Sequence, residues 1–261
     1  MKPILFALCA FVRMGRAEDA FLVDAPPAAS DPGLLVRHLN LSTGRQPLIP
    51  AVLATVEAPL GFLTVLAAGG DTCKRRRTSW VAKAAGCQYA VNGGSFNMKT
   101  GACAGTVISG GTQISMSDSA FASWGLTRTQ YVFGIINHSV ASMNDVQECV
   151  SGFVGPLLIK DGQTYISGST KVAPRTAVGI DAAARLLLLT VDGVESKSLG
   201  MNMTELAAAF RQLGAIQAVN LDGGGSTSAV KDGRVIDQPT CDDSGRICER
   251  AVSSIVCVKG V

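Results

Sequence analysis

One acidic residue in this chain lies between an apolar stretch and a run of small residues. The stretch 216–221 leads into Asp222, which is followed by three glycines and three hydroxyl residues at 223–228. Glycine loses more backbone freedom on folding than any other residue, so this run indicates a close backbone approach or positive φ beside the acid. A carboxylate there can act as a nucleophile or a base. A plain strand-to-loop turn is the alternative, and the flanking polar residues favour a site.

Four further segments end in polar or glycine-rich residues and extend this candidate site. Arginine binds phosphate or carboxylate through a planar fork of donors, asparagine offers a donor and an acceptor to sugar hydroxyls, and glycine amides can bind anions. Together they predict an anionic, hydroxyl-rich substrate, although each Asn-Gly or Asp-Gly pair alone is also typical of a turn. The candidate binding residues are Asn92, Gly93, Gly94, Arg175, Asn220, Gly223, Gly224, Ser226, Thr227 and Arg250, and the reserve carboxylates are Asp192 and Glu249.

The remaining inventory excludes several kinds of chemistry. The 261 residues carry a net charge of +3, which is too small to suggest nucleic acid, and the basic cluster 74–77 is interpreted as a solvated face. The two histidines, His38 and His138, form no metal-spaced pair, so a histidine triad or a multi-histidine zinc site is nearly excluded. The glycine run lacks the Lys-Ser/Thr of a nucleotide loop, and Gly-x-Ser-x-Gly is absent. Carboxylates must therefore carry any acid–base work, and no metal or cofactor is expected.

The N-terminus predicts export. Residues 1–17 have a positive start, an apolar stretch too short to cross a bilayer and a small-x-small cleavage site, so they are interpreted as a signal peptide. The Pro-rich segment 18–50 is expected to be a propeptide or a loosely packed arm, and 51–261 the functional domain. No later run predicts a membrane helix. We expect a secreted protein or one in the lumen of the secretory pathway, with sequons at Asn40, Asn137 and Asn202.

Short strand patterns and hairpin turns dominate the domain. Helices are predicted at 79–85, ending at Gly86, and at 204–213 with Thr204 as the N-cap. Hairpins are predicted to turn at 161–162, near Asp181 and at 231–233. The predicted fold is α+β: a mostly antiparallel or mixed sheet with a few packed helices, in a single disulfide-stapled domain.

Five motifs in this order resemble the phosphodiester glycosidase family over roughly residues 60–258. They are CQYAVNGGSFNM (87–98), GACAG (101–105), PRTAVG (174–179), NLDGGGST (220–227) and CERAVSSIVCV (248–258). The resemblance implies hydrolysis of the glycosyl C1–O bond of a sugar-1-phosphodiester, such as GlcNAc-α-1-phospho-mannose on a phosphoglycan or glycoprotein. It implies Asp222 as nucleophile or base, Arg175 and Arg250 on the phosphate, and the asparagines and glycine amides on the sugar or phosphate.

Two other functions are also compatible with these residues. A metal-dependent phosphodiesterase would cut P–O instead of C–O, and a non-catalytic module would bind glycans without turnover. The resemblance also implies the disulfides Cys73–Cys103, Cys87–Cys257 and Cys241–Cys248 and leaves Cys149 free; the turn-rich loop between Cys241 and Cys248 agrees with the last pair.

Overall fold

A computed structural model describes residues 19–45, 48–117, 121–153, 157–166, 170–242 and 248–261, and the expected signal peptide lies outside these ranges. The α-helices are α1 Thr78–Ala85, α2 His138–Met143 and α3 Met203–Gln212. The strands are β1 Phe21–Asp24, β2 Leu34–Leu41, β3 Ile49–Val56, β4 Leu63–Ala67, β5 Arg76–Arg77, β6 Cys87–Asn92, β7 Val107–Ser109, β8 Thr112–Ser115, β9 Ala122–Leu126, β10 Gln130–Ile135, β11 Glu148–Ser151, β12 Ile159–Lys160, β13 Gln163–Thr164, β14 Arg175–Asp181, β15 Leu186–Val191, β16 Ala215–Asn220, β17 Ala229–Lys231, β18 Arg234–Val235, β19 Ala251–Val252 and β20 Ser254–Lys259.

The strands form three main sheets. Their orders are β1-β10-β9-β11-β7-β8 for the first sheet, β13-β12-β16-β14-β15-β3-β2 for the second and β18-β17-β6-β20-β4 for the third, and β19-β5 forms a small ribbon. The pairings between these named strands are antiparallel. The prediction of a mostly antiparallel sheet with few helices is confirmed, and the sheets dominate the architecture.

The three sheets share one core, and each carries a helix-covered outer face. Trp124 of the first sheet, Val52 of the second and Tyr89 of the third belong to the shared core cluster. The opposite face of β3 turns Leu53 toward the α3 side, where it clusters with Phe210. This arrangement follows from the two-residue period of a strand, which sends neighbouring side chains to opposite faces. Smaller clusters join α1 to the third sheet and α2 to the first.

Three strand ends meet where the sequence motifs lie. β16 runs antiparallel to β14, so the end of β16 lies beside the start of β14, with Asn220 opposite Ala177. β6 of the third sheet ends at Asn92, and the amide of Asp222 donates to the carbonyl of Gly93 at 3.1 Å. Motifs more than 100 residues apart in the chain thus form one cluster at the junction of two sheets.

The N-terminal segment is packed more firmly than its composition indicates. β2 pairs with β3 over eight residue pairs, and β1 pairs with β10 over four. The expectation of a loosely packed arm is therefore wrong for the described part of 18–50, because its backbone hydrogen bonds extend two sheets. Its removal as a propeptide remains a prediction.

Local sequence signals predicted the positions of α1 and α3 to within one residue at their starts, but they assigned the wrong N-cap to α3. α1 spans Thr78–Ala85 and ends at Gly86, whose φ of 69° is the left-handed conformation that glycine adopts without strain. α3 begins one residue before the predicted start, because Asn202 is the N-cap in place of Thr204. Asn202 accepts from the amide of Glu205, whose carboxylate bonds back to the Asn202 amide in a capping box.

The disulfide scheme implied by the family resemblance is confirmed. The bonds are Cys73–Cys103, Cys87–Cys257 and Cys241–Cys248. Cys149 is free and buried. Among the described residues, no helix is long and apolar enough to cross a membrane.

Candidate active site

Asp222 lies just beyond the end of β16, where its carboxylate is partly buried. Its Oδ1 accepts from the amide of Gly223 at 3.0 Å, and the Ser226 hydroxyl is a second partner. Burial raises the pKa of the Asp222 carboxyl, while the Ser226 hydrogen bond and the charge of Arg250 act in the opposite direction. A raised pKa brings a carboxylate closer to the pH at which a base accepts protons effectively.

Arg250 reaches the same place from the C-terminal motif. Its Nη1 donates to the Oγ of Ser226 at 3.1 Å, so one buried hydroxyl contacts both the carboxylate and the guanidinium. Ser226 is 1% exposed, which fixes the hydroxyl between its two partners. The sequence prediction that Asp222, Ser226 and Arg250 belong to one site agrees with this geometry.

Arg175 supports the other side of the glycine run. Its Nε donates to the carbonyl of Met201 at 2.8 Å and its Nη2 to that of Lys171 at 2.6 Å. A Cβ added to Gly223 would lie 3.6 Å from the Cδ of Arg175. Burial lowers the pKa of the guanidinium. Among the described residues Nη1 has no hydrogen-bond partner, so part of the fork remains available to an anion.

Glu195 is a neighbour of the site that the sequence did not reveal. Its Oε2 lies 2.7 Å from the position that a Cβ on Gly224 would occupy, and its Oε1 is paired with the Nζ of Lys171 at 2.5 Å. The charge of Glu195 raises the pKa of both Asp222 and Arg175. The only sequence signal was its position shortly after the Val-Asp-Gly motif at 191–193.

Asn92 proves to be a bracing residue in the interior of the protein. It is 0% exposed; its Nδ2 donates to the carbonyls of Gly93 and Asp222, and its Oδ1 accepts from Thr176 and from the Ser228 amide. An asparagine amide has two donor hydrogens and two acceptor lone pairs, so its capacity is filled. In this structure the Asn92 side chain fixes the backbone at Gly93 and Asp222, and its predicted contact with the sugar stays a prediction.

The glycine amides predicted to bind substrate are also occupied. Those of Gly93 and Gly94 donate to the carbonyl and hydroxyl of Ser254, and that of Gly224 donates to the carbonyl of Pro174. The amide of Gly223 is held by the Asp222 carboxylate. An amide carries one hydrogen, so the predicted anion-binding nest is not formed by these four residues.

The glycines are needed for close packing. A Cβ on Gly94 would lie 2.1 Å from the carbonyl oxygen of Ser151, which no side chain can tolerate. Gly224 has a φ of +59°, and a Cβ there would meet the Glu195 carboxylate. The close backbone approach that the triple glycine predicted is present. The groups that approach the glycines belong to other segments of the protein.

Several polar atoms behind the site lack partners. Among the described residues, Asn220 Oδ1, Thr227 Oγ1 and Ser228 Oγ are buried without a hydrogen bond. A buried unpaired polar group costs about 1–3 kcal/mol. Such costs are typical of functional sites, where local stability is given up for function.

The two reserve carboxylates have hydrogen-bond partners other than those of Asp222. Glu249 accepts from the amide and the hydroxyl of Ser79, both at 2.6 Å, and so satisfies donors in the first turn of α1. Asp192 is 7% exposed and accepts from the amide of Gln238 at the wall of a cavity of about 520 Å³. Burial raises its pKa, and no hydrogen bond or ion pair links Asp192 or Glu249 to Asp222 in the described parts of the chain. A catalytic role for either is not supported by these contacts.

No cluster of three or more His, Cys, Asp or Glu side chains suited to a metal ion occurs within the described residues.

An antiparallel β fold with three disulfides and an Asp–Ser–Arg cluster at its strand ends agrees with the family that the motifs predicted. Residues 85–259 match the family model described as phosphodiester glycosidase, and the chain belongs to this family. It is 34% identical over 282 residues to N-acetylglucosamine-1-phosphodiester alpha-N-acetylglucosaminidase of Mus musculus, covering 96% of this chain and 53% of that protein. The human protein of the same name is 32% identical, with 96% and 53% covered. The chain thus spans about half the length of the curated relatives it matches.

Solved structures of other proteins have a similar fold. The structure titled zebrafish N-acetylglucosamine-1-phosphodiester alpha-N-acetylglucosaminidase catalytic domain auto-inhibited by pro-peptide superposes with a TM-score of 0.81 at 27% identity, covering 92% of this chain and 88% of that one. A hypothetical protein from Synechocystis shares the fold, with a TM-score of 0.68 at 16% identity and coverage of 86% and 61%.

Proposed function

We propose that this protein is a phosphodiester α-glycosidase that hydrolyses sugar-1-phosphodiesters, with GlcNAc-α-1-phospho-mannose as the first candidate substrate. The observation that carries the proposal is the Asp222 carboxylate held beside Ser226 and Arg250 within the region that matches the family. The names of the relatives support the same reaction class. The substrate would be a phosphoglycan or glycoprotein in the secretory pathway lumen or outside the cell.

The reaction needs little help at the leaving group. The C1–O bond breaks and its electron pair leaves with the phosphomonoester, which is already a stabilised anion. An ordinary glycosidase needs a second carboxyl group as general acid because a sugar alkoxide is a poor leaving group. Water supplies its oxygen to C1, and Asp222 acts either as the base that accepts the water proton or as the nucleophile that first bonds to C1. One well-placed carboxylate is therefore sufficient in principle.

The two arginines have different parts in this proposal. Arg250 stands next to the Asp222–Ser226 pair and would neutralise charge on the departing phosphate. Arg175 uses two nitrogens to hold the carbonyls of Met201 and Lys171, and its Nη1, which has no partner among the described residues, would contact the phosphate. Arg175 is thus both a structural brace and a candidate ligand. Lysine could not replace it, since an ammonium group cannot reproduce the fork.

Product analysis in ¹⁸O-labelled water tests the proposal. GlcNAc-α-1-phospho-mannose and a simple α-GlcNAc-phosphate methyl ester are incubated with the protein, and the products are analysed by mass spectrometry. We expect ¹⁸O in the sugar and none in the phosphate, and undiminished turnover in EDTA. Label in the phosphate, or turnover that EDTA abolishes and a divalent ion restores, would support the P–O phosphodiesterase. Binding without turnover of either ester would support the glycan-binding module.

The anomer of the sugar that is released first distinguishes the two alternative roles of Asp222, nucleophile and base. Direct formation of the α-sugar, followed by NMR before mutarotation, would indicate a covalent intermediate on Asp222. Direct formation of the β-sugar would indicate that Asp222 activates water.

A further inference from the structure

A basic patch with an exposed tryptophan lies next to the proposed active site. We define the basic patch as Arg75, Arg76, Arg77, Trp80 and Lys83, which lie on β5, on α1 and just before them. They line a shallow depression of about 430 Å³. The sequence alone suggested a solvated face for this cluster. The structure adds an aromatic ring and a neighbouring site.

Trp80 is largely accessible to solvent. It is 58% exposed, and the guanidinium of Arg76 lies over its ring at 5.8 Å from the centroid. A single exposed apolar side chain is common on protein surfaces, so the informative feature is the combination of this ring with an adjacent guanidinium. A ring face flanked by arginine suits a ligand that is apolar on one face and anionic at its edge. A sugar ring that carries a phosphate has this character.

The patch carries an excess of positive charge. Within the described parts of the chain, no ion pair involves Arg75, Arg76, Arg77 or Lys83. The carboxylate of Glu249 is the negative charge nearby, and it accepts hydrogen bonds from the amide and hydroxyl of Ser79. Clustered cations that outnumber nearby anions attract anionic ligands and concentrate them locally.

The patch begins one residue from the proposed active site. In the ribbon formed by β5 and β19, Arg77 pairs with Ala251. The residue before Ala251 is Arg250, whose Nη1 bonds to Ser226 beside Asp222. Ala251 also lines the depression of the patch, so a glycan held by Arg250 at its scissile phosphate would have to cross this ribbon to reach Trp80.

We propose that the basic patch binds a second phosphate group on the same phosphoglycan whose diester is hydrolysed at Asp222. This inference rests on the proposed function and specifies its substrate: a glycan with two phosphate groups. Arg76 and Arg77 contact the second phosphate, and Trp80 packs against the sugar that carries it. The patch supplies binding energy, so its effect falls on KM.

The test compares two substrates and matched variants. The substrates are an oligomannose glycan with one GlcNAc-phosphodiester and the same glycan with an additional mannose phosphate monoester. The variants are Arg76→Gln/Arg77→Gln and Trp80→Ala. The control is Arg37→Gln/Arg211→Gln, which removes two exposed charges from β2 and α3 outside the patch. Thermal unfolding verifies that all variants fold.

We expect the wild type to have a lower KM for the glycan with two phosphates. Each patch variant should lose about five-fold or more in kcat/KM on that substrate, the scale set by two weak surface charge contacts. The same variants should change by less than about two-fold on the singly phosphorylated glycan, and the control should match the wild type on both. Equal loss on both substrates, or no loss on either, would overturn the proposal.

A binding measurement keeps this test separate from the reaction. Calorimetry with the doubly phosphorylated monoester glycan needs no turnover. In one outcome the wild type cleaves neither substrate and yet binds this glycan more tightly than the Arg76→Gln/Arg77→Gln variant does. That result would reject the proposed hydrolysis and support phosphate binding by the basic patch. Equal affinities for the two proteins would reject the patch.

Discussion

The Oγ of Ser226 lies 3.1 Å from the Nη1 of Arg250 and is also hydrogen-bonded to the Asp222 carboxylate. A buried hydroxyl thus links the proposed catalytic carboxylate to Arg250, a cation 28 residues further along the chain. The Ser226 hydroxyl and Arg250 together set the orientation and the electrostatic environment of the Asp222 carboxylate.

The Asp222→Asn substitution should reduce kcat by at least about 100-fold, because an amide can neither attack C1 nor accept a proton from water. The fold should persist. Since burial raises the pKa of Asp222, ionising this group disfavours the folded state as the pH rises through its folded pKa. The variant should therefore unfold at a temperature no lower than the wild type at neutral pH. Steady-state kinetics and calorimetry check both points.

Asp232→Asn is the matched control for this variant. Asp232 is exposed in the β17–β18 turn with a φ of 51°, which asparagine adopts readily. The Asp232→Asn variant should retain full activity. If Asp222→Asn retains more than about a tenth of the wild-type kcat, a barrier change below about 1.4 kcal/mol, Asp222 has no catalytic role.

The acidic limb of the pH profile should move in opposite directions in two variants. If ionised Asp222 is the active form, kcat/KM rises with pH through its raised pKa. Arg250 lowers this pKa and Glu195 raises it. Arg250→Gln should therefore shift the acidic limb of the kcat/KM profile to higher pH, and Glu195→Gln should shift it to lower pH. These shifts do not depend on the maximal kcat/KM of each variant.

Arg211→Gln, which removes a charge on α3, should leave the limb in place. Shifts of Arg250→Gln and Glu195→Gln in the same direction would show that the titrating group is not Asp222.

Asn92→Ala should destabilise the protein by about 3 kcal/mol or more, because it leaves several buried donors and acceptors without partners. Activity should fall as well, since the Asn92 amide holds the backbone of Asp222. Urea unfolding with the disulfides intact measures the loss. Asn97→Ala, in an exposed turn, should cost about 1 kcal/mol or less. Similar costs for the two variants would contradict the bracing role.

The disulfides should differ in their contribution to stability. Cys87–Cys257 closes a loop with a sequence separation of 170, and Cys241–Cys248 one with a separation of 7. In the chain-entropy model their removal costs about 5 and about 2–3 kcal/mol respectively. Paired Cys→Ala variants and equilibrium unfolding test this order. A larger loss from the Cys241–Cys248 pair would show that native packing outweighs loop closure here.

Local sequence signals predicted the local structure. The Asp-Gly pair at 161–162 and Gly86 after α1 each act within a few residues, so their physics is contained in a short segment. The family motifs also predicted which residues gather around Asp222, and Ser226 and Arg250 do.

The tertiary structure decided which donors and acceptors remain free at the site. Asn92 was predicted to meet a sugar, and its amide is filled by Thr176, Ser228 and two carbonyls. Glu249 was a reserve catalytic carboxylate, and its oxygens are taken by Ser79, 170 residues away in the chain. Each outcome depends on hydrogen bonds between segments that are far apart in the chain and that only the tertiary fold brings together.

Asp222, followed by three glycines, was recognisable from the sequence because close packing around a carboxylate requires residues without side chains. Glu195 was not recognisable, because its place beside Gly224 comes from the packing of a distant loop. Residue types and their order thus determined the kind of chemistry and the family. The long-range pairing of β14 with β16, and the contact of their ends with the end of β6, determined which groups are free to perform it, since a donor already bonded within the protein is not available to a substrate.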